Sequence, residues 1–309
     1  MKALVLTAKE KLELRDVPAP VPQAGEVLVQ VELCSIGGSE VRAFSNPNRP
    51  LPHIMGHGFV GTAGNVRVAV NPLQSCGACV CCHNNQPQLC RDWRLTGVQS
   101  DGGFAEYVAV PGANLVSLPD TLSWAQAAFV EPFANALNAW DRAEPVGGER
   151  VAVVGLGGLG LGVVAAARRA GHAVAVSDPS SSRVSAARQL GGKPIDDKAD
   201  YDLVFDTFGS ARSRRFALTL TRRGGACVLL GFADAGFELN ASAFIREQKR
   251  LLGSFAYAPA QFRDAAELAL SCDPSWVTSL SFTDVEAVLR QFARGDYGLV
   301  KAALRPRQD

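Results

Sequence analysis

The run Val151–Asp178, V-A-V-V-G-L-G-G-L-G-L-G-V-V-A-A-A-R-R-A-G-H-A-V-A-V-S-D, constrains the fold of this chain more than any other stretch. The apolar Val151–Val154 reads as a buried strand, and it meets Gly155, Gly157 and Gly160 in G-x-G-x-x-G spacing. An alanine-rich helical segment follows and ends at Gly171, a residue suited to the left-handed position past a helix C-terminus. A second apolar run, Ala173–Val176, stops at Asp178. Strand, glycine turn, helix, strand and acid form the βαβ order that holds a dinucleotide.

Each part has a physical task. Gly155 permits the tight turn, Gly157 lets the backbone approach a pyrophosphate, and Gly160 lets the helix pack on the strand. Gly158 and Leu159 lie in the same turn, where a helix N-terminus offers unpaired N–H groups to an anion. Asp178 is placed to accept both ribose hydroxyls, and its charge opposes a 2′-phosphate, so the expected cofactor is NAD(H) rather than NADP. Arg183 follows closely and weakens that preference without reversing it. A glycine-rich turn in a buried helix hairpin is the plainer alternative, and it leaves the terminal acid unexplained.

At 309 residues the chain suits about two domains. A hydrophobic content of 47% and a charged content of 20% describe an ordinary globular protein. The net charge of +1 gives no reason to expect nucleic acid, an anionic membrane or a strongly acidic partner. Met1-Lys2-Ala3 opens directly into a strand-like run without a signal-peptide pattern, and no apolar stretch calls for a transmembrane span. Five of the eight cysteines fall between Cys76 and Cys90, which argues for metal rather than disulfides and for a cytoplasmic setting.

Residues 1 to about 130 read as an all-β region, with strand-type alternation at Ala3–Leu6, Glu26–Leu33, Val66–Val70 and Phe104–Val110. Helical spacing begins at Trp124–Ala143. Beyond Asp178, the strands Leu203–Phe205, Cys227–Leu230 and Leu251–Tyr257 alternate with helices at Phe216–Thr221 and Gln261–Leu270, the pattern of a parallel sheet covered on both faces. The last part reads as strand Val277–Phe282, helix Asp284–Ala293 and strand Leu299–Leu304.

Cys76, Cys79, Cys82 and Cys90 stand in C-x2-C-x2-C-x7-C spacing. Two-residue gaps turn consecutive thiolates inward on one metal, and the longer loop brings in the fourth. Four thiolates leave no open position, so a zinc there is structural and holds a loop too small to have a core. Cys81 is then an extra thiol, and His83 is a bystander or an alternative ligand. Unligated or oxidised cysteines remain the plainer reading.

With both signals present, the chain resembles the zinc-containing medium-chain dehydrogenase/reductase family, the alcohol and polyol dehydrogenases. Cys34-Ser35-Ile36-Gly37-Gly38-Ser39-Glu40 resembles its segment ending in C-G-S-D, and Pro52-His53-Ile54-Met55-Gly56-His57-Gly58 resembles its P-x-I-x-G-H-E. Asp101–Tyr107, Val130-Glu131-Pro132 with Asn135-Ala136, and Lys301 find counterparts in order. The resemblance implies an α/β fold, a Rossmann doubly wound parallel sheet plus a GroES-like β-rich catalytic domain. It divides the chain into a catalytic domain at 1–135 carrying the zinc lobe at 76–90, a dinucleotide-binding domain at 136–272, and a segment at 273–309 that returns to the catalytic domain. It also implies hydride transfer between the nicotinamide and a carbinol or carbonyl carbon of a small-molecule substrate, in a homodimer or homotetramer.

Carried over residue by residue, the family's catalytic zinc site is altered. The cysteine of C-G-S-D is Gly37 here, and the glutamate of G-H-E is Gly58. His57 and Glu131 remain as possible ligands, two where a catalytic zinc takes three protein ligands. Cys34 lies three residues upstream on a strand whose facing alternates, so it is a poor substitute. Ser39 takes the place of the hydroxyl that handles the substrate proton, Glu40 that of the acid orienting the histidine, and Arg42 that of a relay histidine. Arginine stays protonated and passes no proton on, although it suits an anionic substrate group. The strand-turn-strand between Gly61 and Val66 is compressed to Thr62-Ala63-Gly64-Asn65.

Plainer readings stand beside each role: a buried His57 bonded to Glu40 or Glu131, a Glu131 complementing a helix N-terminus, a Ser39 in a turn, a surface Arg42. The expected function is an NAD(H)-dependent oxidoreductase with Ser39, His57 and Glu131 at the reacting carbon and one structural zinc. Metal-free chemistry favours reduction of an activated ketone, iminium or conjugated double bond. The alternatives are a conventional zinc alcohol or polyol dehydrogenase and a non-catalytic nucleotide-binding protein.

Overall fold

The computed structural model describes residues 1–307 except 47, 197 and 199. The chain forms two compact units, Met1–Glu131 with Ala258–Asp309, and Pro132–Tyr257.

In the first unit, apolar alternation along Glu26–Ile36 makes this eleven-residue strand the spine of a mainly antiparallel sheet. The sheet runs Leu115–Ser117, Val66–Val70, Phe59–Ala63, Glu26–Ile36, Lys301–Leu304 and Val277–Leu280, with Tyr107–Pro111 also paired to the spine. The returning strand Lys301–Leu304 sets Ala302 opposite Ile36 and Leu304 opposite Cys34. Phe44 from helix Gly38–Ser45, Phe59 from strand Phe59–Ala63 and Phe104 from the bend before strand Tyr107–Pro111 fill the core, and each is essentially inaccessible to water. Truncating such a ring to alanine typically costs about 3–5 kcal/mol. The compressed connection is a tight hairpin in which Ala63 pairs with Val66 around Gly64-Asn65.

The sequence reading of an all-β region up to about residue 130 is corrected here. Helix Gly38–Ser45 begins directly after the spine strand, and a short helix spans Val80–His83. The Gly37 N–H donates to Glu40 Oε2 at 3.0 Å, so the acid in the first turn satisfies a donor that the helix leaves unpaired. That local signal was drowned by the strand pattern on either side.

In the second unit, the described residues contain a six-stranded sheet, parallel throughout, in the order Lys193–Pro194, Ala173–Ser177, Arg150–Val154, Tyr201–Asp206, Thr221–Leu229, Arg250–Gly253. The order reverses between Arg150–Val154 and Tyr201–Asp206, the switch point at whose carboxyl ends ligands bind in doubly wound sheets. Val151, Val153, Val204 and Phe205 are fully buried, as a strand covered on both faces requires. Helices Ser181–Gln189 and Ala241–Glu247, absent from the sequence reading, open on Ser180 and Asn240, whose side chains accept from Arg183 N and Ala243 N.

The division read from the sequence at 272 differs from the compact units, which separate at Tyr257 and Ala258. The reason is local: Gln126 Nε2 donates to the carbonyls of Leu270 at 3.2 Å and Cys272 at 3.0 Å, and Phe129 meets Trp276 edge-on at 6.2 Å. These contacts tie the segment after helix Pro259–Leu268 to the helix Trp124–Ala127 and the residues that follow it.

Candidate active site

His57 precedes the strand Phe59–Ala63 and is held by two acids from two helices. Its Nδ1–H donates to Glu40 Oε1 at 2.5 Å, and its Nε2 stands 3.5 Å from Glu131 Oε2. Glu40 is 3% exposed, and Glu131 sits in the first turn of helix Val130–Ala143. Burial opposes charge on His57, but the carboxylates of Glu40 and Glu131 outweigh it and hold the imidazole well above its ordinary value. Burial likewise pushes Glu40 up, yet the His57 charge and the hydrogen bonds from His57 and the Gly37 amide bring it down to about 2. The pair is therefore an imidazolium against a carboxylate. Ser39, on the same helix as Glu40, accepts from Arg42 Nη2 at 3.3 Å.

Cys34 does not join this group. Its sulfur is buried, so close to Gly56 and Gly103 that a Cβ built there would lie 2.6 Å and 2.9 Å away. Burial pushes its thiol well above the ordinary range. For a catalytic zinc, His57 Nδ1 is committed to Glu40, and Glu40 Oε2 to the Gly37 amide. His57 Nε2 and Glu131 are left, with hydrogen atoms for side chains at Gly37 and Gly58. Two donors fall short of the three that such a zinc takes.

The cysteine lobe differs. Among the described residues, Cys76, Cys79, Cys82 and Cys90 form the one group of three or more metal-ligating side chains, with every sulfur within 4.8 Å of the others. The Cys79–Cys82 and Cys76–Cys82 sulfurs are 3.5 Å and 3.9 Å apart. A tetrahedron with 2.3 Å zinc–sulfur bonds has edges of about 3.8 Å, so the lobe fits a structural zinc. The thiols are free of disulfides, and the Cys76 amide donates to Cys90 Sγ at 3.5 Å.

In the second unit the glycine turn joins strand Arg150–Val154 to helix Gly158–Arg169. Gly155 has φ +90°, and a Cβ on Gly160 would lie 1.9 Å from the Gly155 carbonyl oxygen, so neither position admits a side chain. Gly157 caps the helix without a side-chain bond, and the nearest atom to a Cβ placed there is Arg183 Nη1 at 3.9 Å. The uncapped N–H groups and this open cradle fit a phosphate. Asp178 Oδ1 accepts the Ser180 amide at 2.8 Å and Oδ2 accepts the Leu156 amide at 2.6 Å, leaving lone pairs for ribose hydroxyls. Sequence reasoning missed Thr207, whose hydroxyl reaches the Gly155 carbonyl; the Thr-x-Gly after a strand of the parallel sheet was its only trace.

Two family models match this chain, the alcohol dehydrogenase GroES-like domain over residues 23–120 and the zinc-binding dehydrogenase over residues 158–271. An L-threonine 3-dehydrogenase of Rhizobium etli (strain CIAT 652) is 30% identical over 82% of this chain and 83% of its own length. The chain belongs to the zinc-containing medium-chain dehydrogenase/reductase family. The L-galactonate-5-dehydrogenase of Escherichia coli (strain K12) is 29% identical over 87% of both chains. The acetophenone reductase of Geotrichum candidum NBRC 4597, solved with NAD, is 25% identical with a TM-score of 0.89, covering 99% of this chain and 97% of that one. This medium-chain dehydrogenase/reductase is thus an NAD(P)-dependent oxidoreductase of small molecules, with the Rossmann and GroES-like folds expected from its sequence. Among the described residues no helix is long and apolar enough to cross a membrane.

Proposed function

We propose that this protein is an NAD(H)-preferring reductase in which protonated His57 and the Ser39 hydroxyl, rather than a second zinc, stabilise charge on the substrate oxygen. The observation that carries this reading is the His57 ring held between the carboxylates of Glu40 and Glu131, beside two glycines that supply no metal ligand. When bound, the nicotinamide supplies the hydride to carbon or takes it back.

Reduction of a carbonyl places negative charge on its oxygen, and a fixed cation in a dry pocket stabilises that charge without reorganising. Glu40 keeps the Nδ1 proton, so the proton for the substrate oxygen comes from Nε2–H, which faces Glu131 until substrate takes its place, and it completes the alcohol as the hydride arrives at carbon. Arg42 donates to Ser39 Oγ, which leaves the hydroxyl proton to point at the same oxygen. Arg42 accepts no proton, so the relay does not continue through it; it suits an anionic group on the substrate. A Lewis acid would add several kcal/mol of stabilisation, so a site that relies on His57 and Ser39 instead favours activated ketones or carbonyl-conjugated double bonds over plain alcohols.

Cofactor contacts belong to Gly155, Gly157, Gly158, Leu159, Gly160, Asp178 and Arg183, and Asp178 supports NAD over NADP by charge. Cys76, Cys79, Cys82 and Cys90 would hold the structural zinc. A homodimer or homotetramer in the cytoplasm, engaging neither nucleic acid nor membrane, completes the proposal; the net charge of +1 supports the absence of a polyanionic partner, and the metal-type spacing of the clustered cysteines supports the compartment.

The test is reduction of a carbonyl panel by NADH after dialysis against a chelator too weak to strip four thiolates. Turnover should survive, and His57→Gln should lower it by about a hundredfold with NADH affinity unchanged. Turnover lost to the chelator and restored by zinc would favour a conventional zinc dehydrogenase. Tight NADH binding without any turnover would favour a non-catalytic protein.

A further inference from the structure

We propose that Thr207 is a positioning residue of the dinucleotide site, acting on the glycine turn from the strand across the switch point. The inference rests on the reading of Gly155–Gly160 as the pyrophosphate cradle.

Thr207 is the first residue past the strand Tyr201–Asp206, and Asp206 pairs with Val154 in the neighbouring parallel strand. Its amide donates to the Val154 carbonyl at 3.0 Å, which sets the side chain level with Gly155. From there Oγ1 donates to the Gly155 carbonyl at 2.7 Å, with a longer 3.2 Å approach to the Val154 carbonyl. The Gly155 carbonyl and the Leu156 amide belong to one peptide unit, and that unit is planar. The amide end of the same plane is held by Asp178 Oδ2 at 2.6 Å.

One peptide plane is therefore gripped at both ends. Thr207 follows one flanking strand, Tyr201–Asp206, and Asp178 follows the strand on the other side, Ala173–Ser177. The plane cannot rotate without breaking both bonds. It leads straight into Gly157 and the first N–H groups of helix Gly158–Arg169, so its orientation fixes where those donors point. The Gly155 oxygen also lies against Gly160, whose missing side chain leaves the room it occupies. Asp178 thus acts twice, toward ribose and toward the turn, whereas Thr207 acts on the turn alone. Losing the Thr207 hydroxyl frees the plane to sample other orientations, and a ligand that needs the aligned N–H groups must restore the lost order on binding.

The experiment compares wild type, Thr207→Val and Thr207→Ser for binding of NADH, ADP-ribose and adenosine, with thermal melting alongside. Valine keeps the branched shape and removes the hydroxyl, while serine restores it. Thr207→Val should weaken NADH and ADP-ribose by about five- to tenfold, the worth of one hydrogen bond, and change adenosine less than about twofold. Thr207→Ser should bind all three ligands as wild type does. A purely structural threonine would lower the melting temperature and weaken the three ligands alike, or none of them; either result overturns the proposal. If wild type binds NADH and ADP-ribose while Thr207→Val matches it within about twofold, the clamp fails and the dinucleotide site stands. If wild type binds neither, the dinucleotide reading itself fails.

Discussion

Replacing Glu40 with glutamine tests whether the His57 charge is built by its surroundings. Glu40 is 3% exposed, takes the Nδ1–H of His57 at 2.5 Å and the Gly37 amide at 3.0 Å, and its carboxylate sits at about 2. Glutamine keeps the shape and an acceptor oxygen but removes the charge facing a histidine that is itself 13% exposed. Removing one partner of a buried ion pair typically costs about 3–5 kcal/mol. Glu131, 3.5 Å from Nε2, retains part of the stabilisation, so about 3 kcal/mol is the expected loss of preference for the imidazolium. At about 1.4 kcal/mol per unit, His57 should fall by about two units. Titration of the His57 ring by NMR reads this directly, and the alkaline limb of the reduction rate should move down with it. If His57 titrates at the same pH in Glu40→Gln as in wild type, the electrostatic account of the site is refuted.

Four further outcomes follow from the geometry and charges. Reduction should proceed evenly through neutral pH and fall only on the alkaline side, because His57 is held well above its ordinary value of 6.5. Stability should follow the same signs, which melting temperatures across pH would show. The Glu40 contribution is present above its ordinary 4.5 and is lost as pH falls toward 2, while the His57 contribution is full below 6.5 and is lost as pH rises through its raised value. Asp178→Ala should shift cofactor preference toward NADP by about tenfold in Kd ratio, since a charge opposed to the 2′-phosphate is gone, and should weaken both cofactors because the Leu156 amide loses its acceptor. Cys90→Ser, at a cysteine 1% exposed in the lobe, should abolish zinc binding in elemental analysis and lower the melting temperature, because metal affinity there contributes to folding.

What could be read from the sequence depended on whether the signal was local. The strand, glycine turn, helix and acid of Val151–Asp178 lie within one short run, and the structure places them as Arg150–Val154, Gly158–Arg169 and Ala173–Ser177. The four cysteines were legible for the same reason, since their spacing alone converges the sulfurs. The grouping of Glu40, His57 and Glu131 came from resemblance, because residues that far apart meet only through the fold. Thr207 and Gly155 are likewise distant in sequence, and a hydroxyl donating to a backbone carbonyl leaves no side-chain pattern. Helix Gly38–Ser45 escaped because it is short and enclosed by strands. The boundary at Ala258 escaped because the helical pattern of Gln261–Leu270 does not say which unit its apolar face will join.

Zinc per chain, measured by elemental analysis of protein purified without added metal, tests the central claim most directly. The account predicts about one zinc, lost on substituting any of Cys76, Cys79, Cys82 or Cys90 and indifferent to His57→Gln. About two, with one lost in His57→Gln, would mean that His57 and Glu131 recruit a further ligand, and the metal-free site would be contradicted.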